Sequence, residues 1–439
     1  MLKKIFKMVI MLLIFLGLVL GIFITVKNMM PETKKKNSFN NKIFDMIQVQ
    51  EAEITKCFTY GRSLNVEGSI TNISKDNLES VKLVTTDGEE ILDYNSLDYE
   101  FKDDKLYFYS KDMNENIILD DLDINTKQFV LIRLTLNNSI DPKFYSLKNV
   151  GKFDNIEYYG VTKDGKNKKA NIKFENVIRK SKEYSFLTIE MLESTLPEDV
   201  YDIVIDAARG GTDVGVTSGN ISEAQVTLEY AKLIQAKLED KGYKVKLTRD
   251  DENSSSYTAT NMYSENGRIT TACKSKAKLM ISLHLNKGVD SLKGFEIYAP
   301  GNINYRFPKE LALDLNESTN LKISNNISFR EADGVYVKNY NKRMIKETAD
   351  SAAKKGYEPY PITENTPFIY TIREVGGIAT GAYVDGRNTY YDKNKFYDTN
   401  QGIECYQLEL GYIKNDLDTI LKDKDVITST IADSIVNNY

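Results

Sequence analysis

The hydrophobic and polar positions follow a different pattern in each of three successive parts of the chain. The first part contains an uncharged apolar run, Met8 to Val26, directly after three lysines. A helix needs roughly 20 apolar residues to cross a bilayer, so the run predicts one transmembrane helix within residues 1–27. The run is long for a cleaved signal peptide and no small-residue cleavage pattern follows it, which favours an uncleaved anchor.

Basic residues lie on both sides of this apolar run, so charge alone leaves its orientation open. Residues 28–42 are rich in Lys and Asn and contain Pro31, which is typical of a solvated linker. The first part of the chain therefore predicts an anchor followed by a spacer.

The second part, residues 43–193, consists of short alternating or β-branched runs separated by Asp, Asn, Gly and Lys. This pattern predicts an all-β, sandwich-like domain. The region has no cluster of acids, no paired nucleophile and base and no phosphate loop. It is therefore predicted to be a spacer or an interaction module, and no residue specifically supports the alternative of carbohydrate binding.

The third part, residues 200–439, alternates strand patterns with helix patterns after the turn-forming segment Ser194 to Asp199. A buried strand at VYDIVID precedes a helix pattern that stops at Gly242, and later strands and helices follow in turn. Alternation of this kind predicts an α/β domain, with a mostly parallel sheet and helices on both faces.

Composition narrows the class of protein. The chain of 439 residues is 41% hydrophobic and 28% charged, which indicates a globular protein, and its net charge of −5 argues against a nucleic-acid partner. The three cysteines are odd in number and far apart, so they do not indicate a disulfide framework. His284 is the only histidine, which excludes any site that needs two imidazoles.

Four segments of the third part carry candidate chemistry. The run IVIDAARGGTDVG, Ile203 to Gly215, ends in a glycine-rich turn where an α/β sheet places its ligands. Glu223 opens the next helix, His284 ends the strand LMISLHLN, and Glu409 lies within YQLELGYI. Glu223 could simply complement a helix dipole and His284 could be a structural histidine. A carboxylate in an apolar strand needs a partner or a cleft, so Glu409 is the most informative of these residues.

The motifs of this domain, in their order along the chain, resemble those of the zinc-dependent N-acetylmuramoyl-L-alanine amidases of bacteria: IDAARGG, SEAQ, VKLTRDD, SLHLN, GFEIY and LELGYIKND. The resemblance implies a zinc ion held by two histidines and a glutamate, with a late glutamate as general base on the zinc-bound water. It places Glu223 on the glutamate ligand, His284 on the second histidine and Glu409 on the catalytic base. The first histidine falls on Arg209.

Arginine stays protonated and has no lone pair for a metal, so Arg209 departs from the family's chemistry. Asp206 or Asp213 would be a weak substitute at that turn. We therefore expect a remnant site with Arg209 in the third ligand position, paired with Glu223 or with Glu409. Zinc is expected if the protein is active, and no cofactor is the alternative.

The apolar run predicts a single-pass cell-membrane protein, and the resemblance implies that it belongs to the bacterial envelope with both domains extracytoplasmic. We expect its amidase-like domain to engage a peptidoglycan stem peptide or an envelope protein, with hydrolysis lost or weak. Two alternatives stay open. The protein could be an active zinc amidase that cleaves the lactyl-L-alanine bond, or a scaffold of an envelope complex that binds through its β module.

Overall fold

The computed structural model describes residues 45–439 except 89, 138, 140, 152, 154, 162–165, 180, 253–263, 355, 357–361 and 378–400. The predicted anchor and linker lie outside these residues. Among the helices that are described, none is both long and apolar enough to cross a membrane.

The N-terminal domain consists of strands connected by turns. Its strands are β1 (Ala52–Tyr60), β2 (Ser63–Thr71), β3 (Leu78–Thr86), β4 (Ile91–Ser96), β5 (Asp98–Lys102), β6 (Lys105–Tyr109), β7 (Ile117–Ile118), β8 (Thr126–Leu136), β9 (Lys143–Tyr145), β10 (Leu147–Asn149), β11 (Ile156–Val161), β12 (Asn167–Arg179) and β13 (Lys182–Glu193). One sheet has the order β10-β1-β2-β6-β5 with β7 beside β2, and the other the order β11-β12-β13-β8-β3-β4 with β9 beside β8.

The two sheets pack face to face around one apolar core. Val66 of the first sheet belongs to the same buried cluster as Val130 and Ile132 of the second. Alternate residues of β8 point the other way, and Phe129 and Leu131 join a smaller cluster on the outer face. This period of two is what the sequence pattern predicts for a sandwich, and the domain is β-rich as expected.

The C-terminal domain mixes strands and helices. Its strands are β14 (Ile203–Ala207), β15 (Thr217–Ser218), β16 (Ile221–Ser222), β17 (Val245–Leu247), β18 (Leu279–Asn286), β19 (Glu296–Tyr298), β20 (Arg330–Ala332), β21 (Val335–Tyr336), β22 (Gln401–Gly402) and β23 (Glu404–Tyr412). Its helices are α1 (Glu223–Glu239), α2 (Arg268–Lys274), α3 (Arg306–Ser318), α4 (Lys342–Lys354), α5 (Tyr370–Val375), α6 (Leu417–Lys422) and α7 (Lys424–Asn438).

The main sheet of this domain has the order β17-β14-β18-β23-β19-β21-β20. Its neighbouring strands are parallel except where β19 meets β23 and where β20 meets β21. Four of the six neighbouring pairs are parallel, so the sheet is mostly parallel as predicted, but the GFEIY strand, β19, runs antiparallel to β23 and makes the sheet mixed. Residues 287–295 connect β18 to β19 without a helix, and a parallel return needs a longer crossover.

Helices cover both faces of the sheet, as the sequence predicts. Ile203 and Ile205 of β14 share a buried cluster with residues of α1, α3 and α7. Val204, between them, points to the opposite face and packs with residues of α2 and α5. The run of apolar residues in β14 is continuous because both faces of this strand are buried.

The two domains share a buried seam. Phe58, Tyr60 and Met113 of the sandwich belong to the main apolar cluster of the α/β domain. Strand β1 also pairs in parallel with β22 of the second domain. The hydrophobic pattern predicts that these side chains are buried, but it does not say against which domain.

Polar contacts also join the two domains at this interface. Asn114 Nδ2 donates to Glu404 Oε1 at 2.9 Å, and the Arg62 guanidinium lies 4.4 Å from the ring centre of Tyr439. Gly61 has a φ of +55°, and a Cβ atom there would lie 2.9 Å from both Glu404 Oε2 and the Tyr439 hydroxyl. Glycine at this position allows both the left-handed turn and the close approach of the domains.

Candidate active site

The turn that follows β14 is fixed by a buried arginine. Arg249 donates to the carbonyl oxygens of Ala207 at 3.0 Å and Ala208 at 2.9 Å, and also to Ala224 of α1 at 2.6 Å. This ties the turn to the first turn of the helix. The next residue, Arg209, has a φ of +67°, in the left-handed region that side chains other than glycine rarely adopt.

Glu223 is placed by the start of α1. Ser222 is the N-cap, and it exchanges hydrogen bonds with Gln225 in a capping box, which sets Glu223 as the first helical residue. The side chain of Glu223 is fully buried. It points back toward the glycine-rich turn and the end of β18.

Both carboxylate oxygens of Glu223 accept bonds from protein N–H groups. Oε2 accepts from Arg209 Nε at 3.0 Å and from Val216 N at 3.1 Å. Oε1 lies 3.1 Å from His284 Nδ1 and accepts from Leu285 N at 3.4 Å. Burial alone would raise the pKa of Glu223, but the bond to His284 and the charge of Arg209 lower it to about 2. Of the two pairings expected for Arg209, the structure shows the one with Glu223.

Gly215 makes room for this pair. A Cβ atom at Gly215 would lie 2.3 Å from Glu223 Oε2 and 2.7 Å from the Cγ of Arg209, and its φ is +68°. Arg209 also places Nη1 3.4 Å from Asp213 Oδ2. Arg209 therefore forms ion pairs with Asp213 of the turn and with Glu223 of α1, although its side chain remains 37% exposed.

His284 and Glu409 lie side by side on the neighbouring strands β18 and β23, where they are partners in the parallel register. Both are more than nine-tenths buried, at 9% and 8% exposure. Gln407 Nε2 donates to Glu409 Oε1 at 2.8 Å. Glu409 Oε2 and His284 Nε2 are buried without a hydrogen-bond partner in the described part of the chain. Burial raises the pKa of Glu409 to about 7, although the His284 charge opposes the shift.

Glu296 lies beside these candidate residues, and its sequence motif did not single it out. It is fully buried on β19, directly opposite Glu409. Its oxygens accept bonds only from neutral donors among the described residues: Asn286 Nδ2 at 3.1 Å, Tyr298 OH at 2.7 Å, Ser324 Oγ at 2.9 Å, Asn326 Nδ2 at 3.1 Å and the Tyr412 hydroxyl. A charged residue within the apolar strand GFEIY was the available signal, and it is the same signal that pointed to Glu409.

The two aspartates considered as substitute ligands are used elsewhere. Asp206 is fully buried and accepts bonds from Thr248 Oγ1 and Ser282 Oγ, both at 2.6 Å. Asp213 accepts from Gly215 N and pairs with Arg209. Among the described residues, no group of three or more His, Cys, Asp or Glu side chains is arranged to hold a metal ion.

Comparison with sequence models of known families matches the α/β domain to one of them. The sequence model of the N-acetylmuramoyl-L-alanine amidases (Amidase_3) matches residues 203–438, which is more than half of the chain. The chain belongs to the N-acetylmuramoyl-L-alanine amidase family. The match begins at β14 and ends in α7, so it covers the α/β domain and excludes the sandwich.

Two relatives match shorter parts of the chain in sequence. The uncharacterized protein YqiI of Bacillus subtilis (strain 168) is 26% identical over 113 residues, which are 26% of this chain and 51% of that protein. The germination-specific N-acetylmuramoyl-L-alanine amidase of the same organism is 33% identical over 98 residues, 21% of this chain and 41% of that protein. The solved structure of Cwp6 from Clostridium difficile is 20% identical, with 54% of this chain and 29% of that chain covered and a TM-score of 0.36. The chain thus spans about half or less of these relatives.

Zinc, which membership of the amidase family implies, does not fit the donors as they are arranged. A carboxylate offers about four lone-pair directions, and those of Glu223 already face four N–H groups. Arg209 has no lone pair to give and brings a fixed positive charge to the same carboxylate. Glu223, Arg209 and Asp213 therefore form an ion-pair network here, and His284 and Glu409 each have one buried polar atom without a partner among the described residues.

Proposed function

We propose that this amidase-family protein binds peptidoglycan stem peptides at the bacterial cell surface without cleaving them. Membership of the amidase family supports the choice of ligand. The arrangement of Glu223 carries the loss of cleavage, because both of its oxygens are occupied by protein donors and one of those donors is Arg209. The apolar run Met8 to Val26 supports a membrane anchor, with both domains outside the membrane.

The network around Arg209 supports loss of hydrolysis on electrostatic grounds. A cation that is hydrogen-bonded to Glu223 opposes the approach of a divalent metal ion to the same carboxylate. Displacing Arg209 would also break its ion pair with Asp213. It would leave a gap beside Gly215, whose lack of a side chain makes room for Arg209. The remaining candidate ligand, His284, would be a single donor.

The test measures zinc content and peptide release together. Full-length wild type and the Arg209→His variant are purified, their bound zinc is measured by mass spectrometry, and release of peptide from purified peptidoglycan is assayed. Histidine tolerates the left-handed backbone of this position better than most residues and supplies a ring nitrogen. We expect the wild type to hold less than a tenth of an equivalent of zinc, and the variant to hold several times more.

Arg209→Ala is the matched control, because it removes the same charge without supplying a ligand. It should leave the zinc content close to that of the wild type. A wild type that holds near-stoichiometric zinc and releases peptide would overturn the proposal.

An active zinc amidase is the second candidate, and one observation favours it. Glu409 is buried beside His284, and its pKa is raised to about 7, in the range where a general base works best at neutral pH. This candidate requires Arg209 to leave Glu223 when the metal binds. Peptide release by the wild type, abolished by a chelator, would establish it.

A further inference from the structure

Two large hydrophobic side chains of the sandwich are far more exposed than the others that the structure describes. Val49 is 77% exposed and Ile178 is 76% exposed, whereas the next in this domain, Val150, is 48% exposed. Exposed apolar residues that occur singly are ordinary on protein surfaces, so the position of these two relative to each other decides their meaning.

Both side chains lie at the tip of the hairpin that β12 and β13 form. Ile178 is next to the last register pair before the turn. Lys182, at the turn, donates from Nζ to the carbonyl oxygen of Val49 at 2.8 Å, and Ser185 N donates to Glu51 Oε1 at 2.7 Å. These two bonds hold the segment that contains Val49 against the end of the hairpin.

The end of this hairpin projects from its sheet. Strand β11 pairs with β12 only as far as Ile172, and β8 pairs with β13 only from Leu187 onward. Between these positions and the turn, β12 and β13 pair only with each other among the described strands. Val177 and Tyr184 pack against the smaller cluster on the outer face. Ile178 points to the other side of the two strands, where it is left to solvent.

The chain that follows the predicted anchor enters the sandwich beside this tip. Even when fully extended, at about 3.6 Å per residue, the linker between Val26 and Asp45 reaches at most about 70 Å. Ile47 then forms a bridge with Phe144 of β9, and Val49 follows directly. The hairpin tip is therefore the part of the sandwich where the anchored chain arrives.

The chemistry of the tip fits a lipid surface. Apolar side chains beside basic residues are typical of segments that lie in the interface of an anionic bilayer. In sequence, residues 179–182 directly after Ile178 read RKSK, with three basic residues in four positions. The carbonyl oxygen of Val49 already accepts the bond from Lys182, so Val49 can leave water without creating an unpaired acceptor.

We propose that the tip of the β12–β13 hairpin lies in the lipid surface of the membrane that holds the anchor, with Ile178 and Val49 in the interfacial region. The inference rests on the membrane anchor of the proposed function and adds a second contact with the same membrane. Because the anchor keeps the tip near the bilayer, a contact too weak to recruit free protein is sufficient. Strand β13 has 12 residues, so an upright hairpin places the start of the α/β domain roughly 35–40 Å from the bilayer.

The test measures the depth of residue 178 in a bilayer. Full-length Ile178→Cys is labelled with a fluorophore and reconstituted into vesicles of phosphatidylglycerol and phosphatidylcholine, some of which contain a lipid with a nitroxide near its headgroup. We expect at least about twofold quenching, because the nitroxide lies at the depth of interfacial side chains. Val49→Cys is a second reporter on the same tip and should be quenched to a similar extent. Wild type treated with the same reagent measures labelling of the three native cysteines.

Ile327→Cys is the matched control, because it replaces an isoleucine of the α/β domain that is 80% exposed. Its quenching should stay below about 1.2-fold, since the hairpin holds that domain away from the bilayer. Thermal unfolding checks that the labelled variants are folded. Retention of unlabelled wild type in the vesicles after alkaline extraction tests the anchor by itself.

Retained protein with no more quenching at residue 178 than at residue 327 would overturn the inference and leave the anchor standing. Protein that alkaline extraction removes from the vesicles would overturn both.

Discussion

Two glutamates on the same strand, β23, experience opposite surroundings. Glu404 and Glu409 are buried to a similar degree, at 4% and 8% exposure. Glu404 accepts bonds from Asn114 of the sandwich and from the hydroxyl of Tyr406, whereas one oxygen of Glu409 has no partner among the described residues. The two carboxylates therefore differ in how far the described part of the protein satisfies their oxygens, and not in how deeply they are buried.

The sandwich domain stabilises the end of β23 that holds Glu404. At the Glu404 end of the strand, the β domain supplies polar partners and three apolar side chains, Phe58, Tyr60 and Met113. Glu409, farther along the strand, accepts instead from Gln407 of β23 itself. The sandwich thus supports the end of β23 that begins at Glu404, and Glu409 lies toward the other end.

The largest effect is expected from removing the sandwich altogether. A fragment of residues 200–439 would expose the cluster that Phe58, Tyr60 and Met113 cover, and each large apolar side chain contributes about 1.5–3 kcal/mol when buried. We expect the fragment to lose cooperative thermal unfolding, followed by circular dichroism, while the two-domain protein of residues 45–439 keeps it. A fragment with the melting temperature of the two-domain protein would contradict this role.

A smaller effect is expected from adding one methyl group at Gly61, where the two domains meet. Gly61→Ala adds a methyl group 2.9 Å from Glu404 Oε2 in a left-handed turn, so we expect a loss of about 3–4 kcal/mol in the free energy of unfolding. Gly219→Ala is the control, because its φ is +57° and nothing lies within 4 Å of the added carbon. It should lose only about 1 kcal/mol from backbone strain. Equal losses in urea titrations would show that the seam tolerates the methyl group.

The smallest effect is expected in the pH dependence of stability, which depends on Glu409 of β23. Burial raises the pKa of Glu409 from 4.5 to about 7, so the folded protein holds this proton more tightly than the unfolded chain. The stability that this proton provides is therefore lost as pH rises from 4.5 through 7, by up to about 3 kcal/mol. The wild type should lose more stability between pH 5 and pH 8 than Glu409→Gln does.

The shifted pKa values of Glu223 and Glu404 do not affect the difference in stability between the wild type and Glu409→Gln. The pKa of Glu223 is lowered to about 2, so its stabilisation is lost only as pH falls from 4.5 toward 2, below the tested range. Burial raises the pKa of Glu404, but Glu404 is present in both proteins and cancels in the difference. Identical losses of unfolding free energy in wild type and Glu409→Gln would refute the assignment.

The sequence predicted the position of the site better than its surroundings. The alternation of strand and helix patterns correctly placed Glu223 at a helix start and His284 near a strand end. Strand direction depends on the path of the connecting segment, so the reversal of β19 was not predictable from its own residues. Glu296 gave the same signal as Glu409, a charge in an apolar strand. The roles assigned to these residues remain predictions.

The stacking of Arg62 on Tyr439 has a consequence for the order in which the protein folds. The seam joins the first two strands of the sandwich to the last helix, and contacts so distant in sequence form late because they close a long loop. A newly made sandwich would meanwhile display the uncovered edge of β1 at Thr59 and Tyr60, beside apolar side chains. Such an edge is open to pairing with strands of other chains, so completion of the α/β domain protects the nascent protein from aggregation.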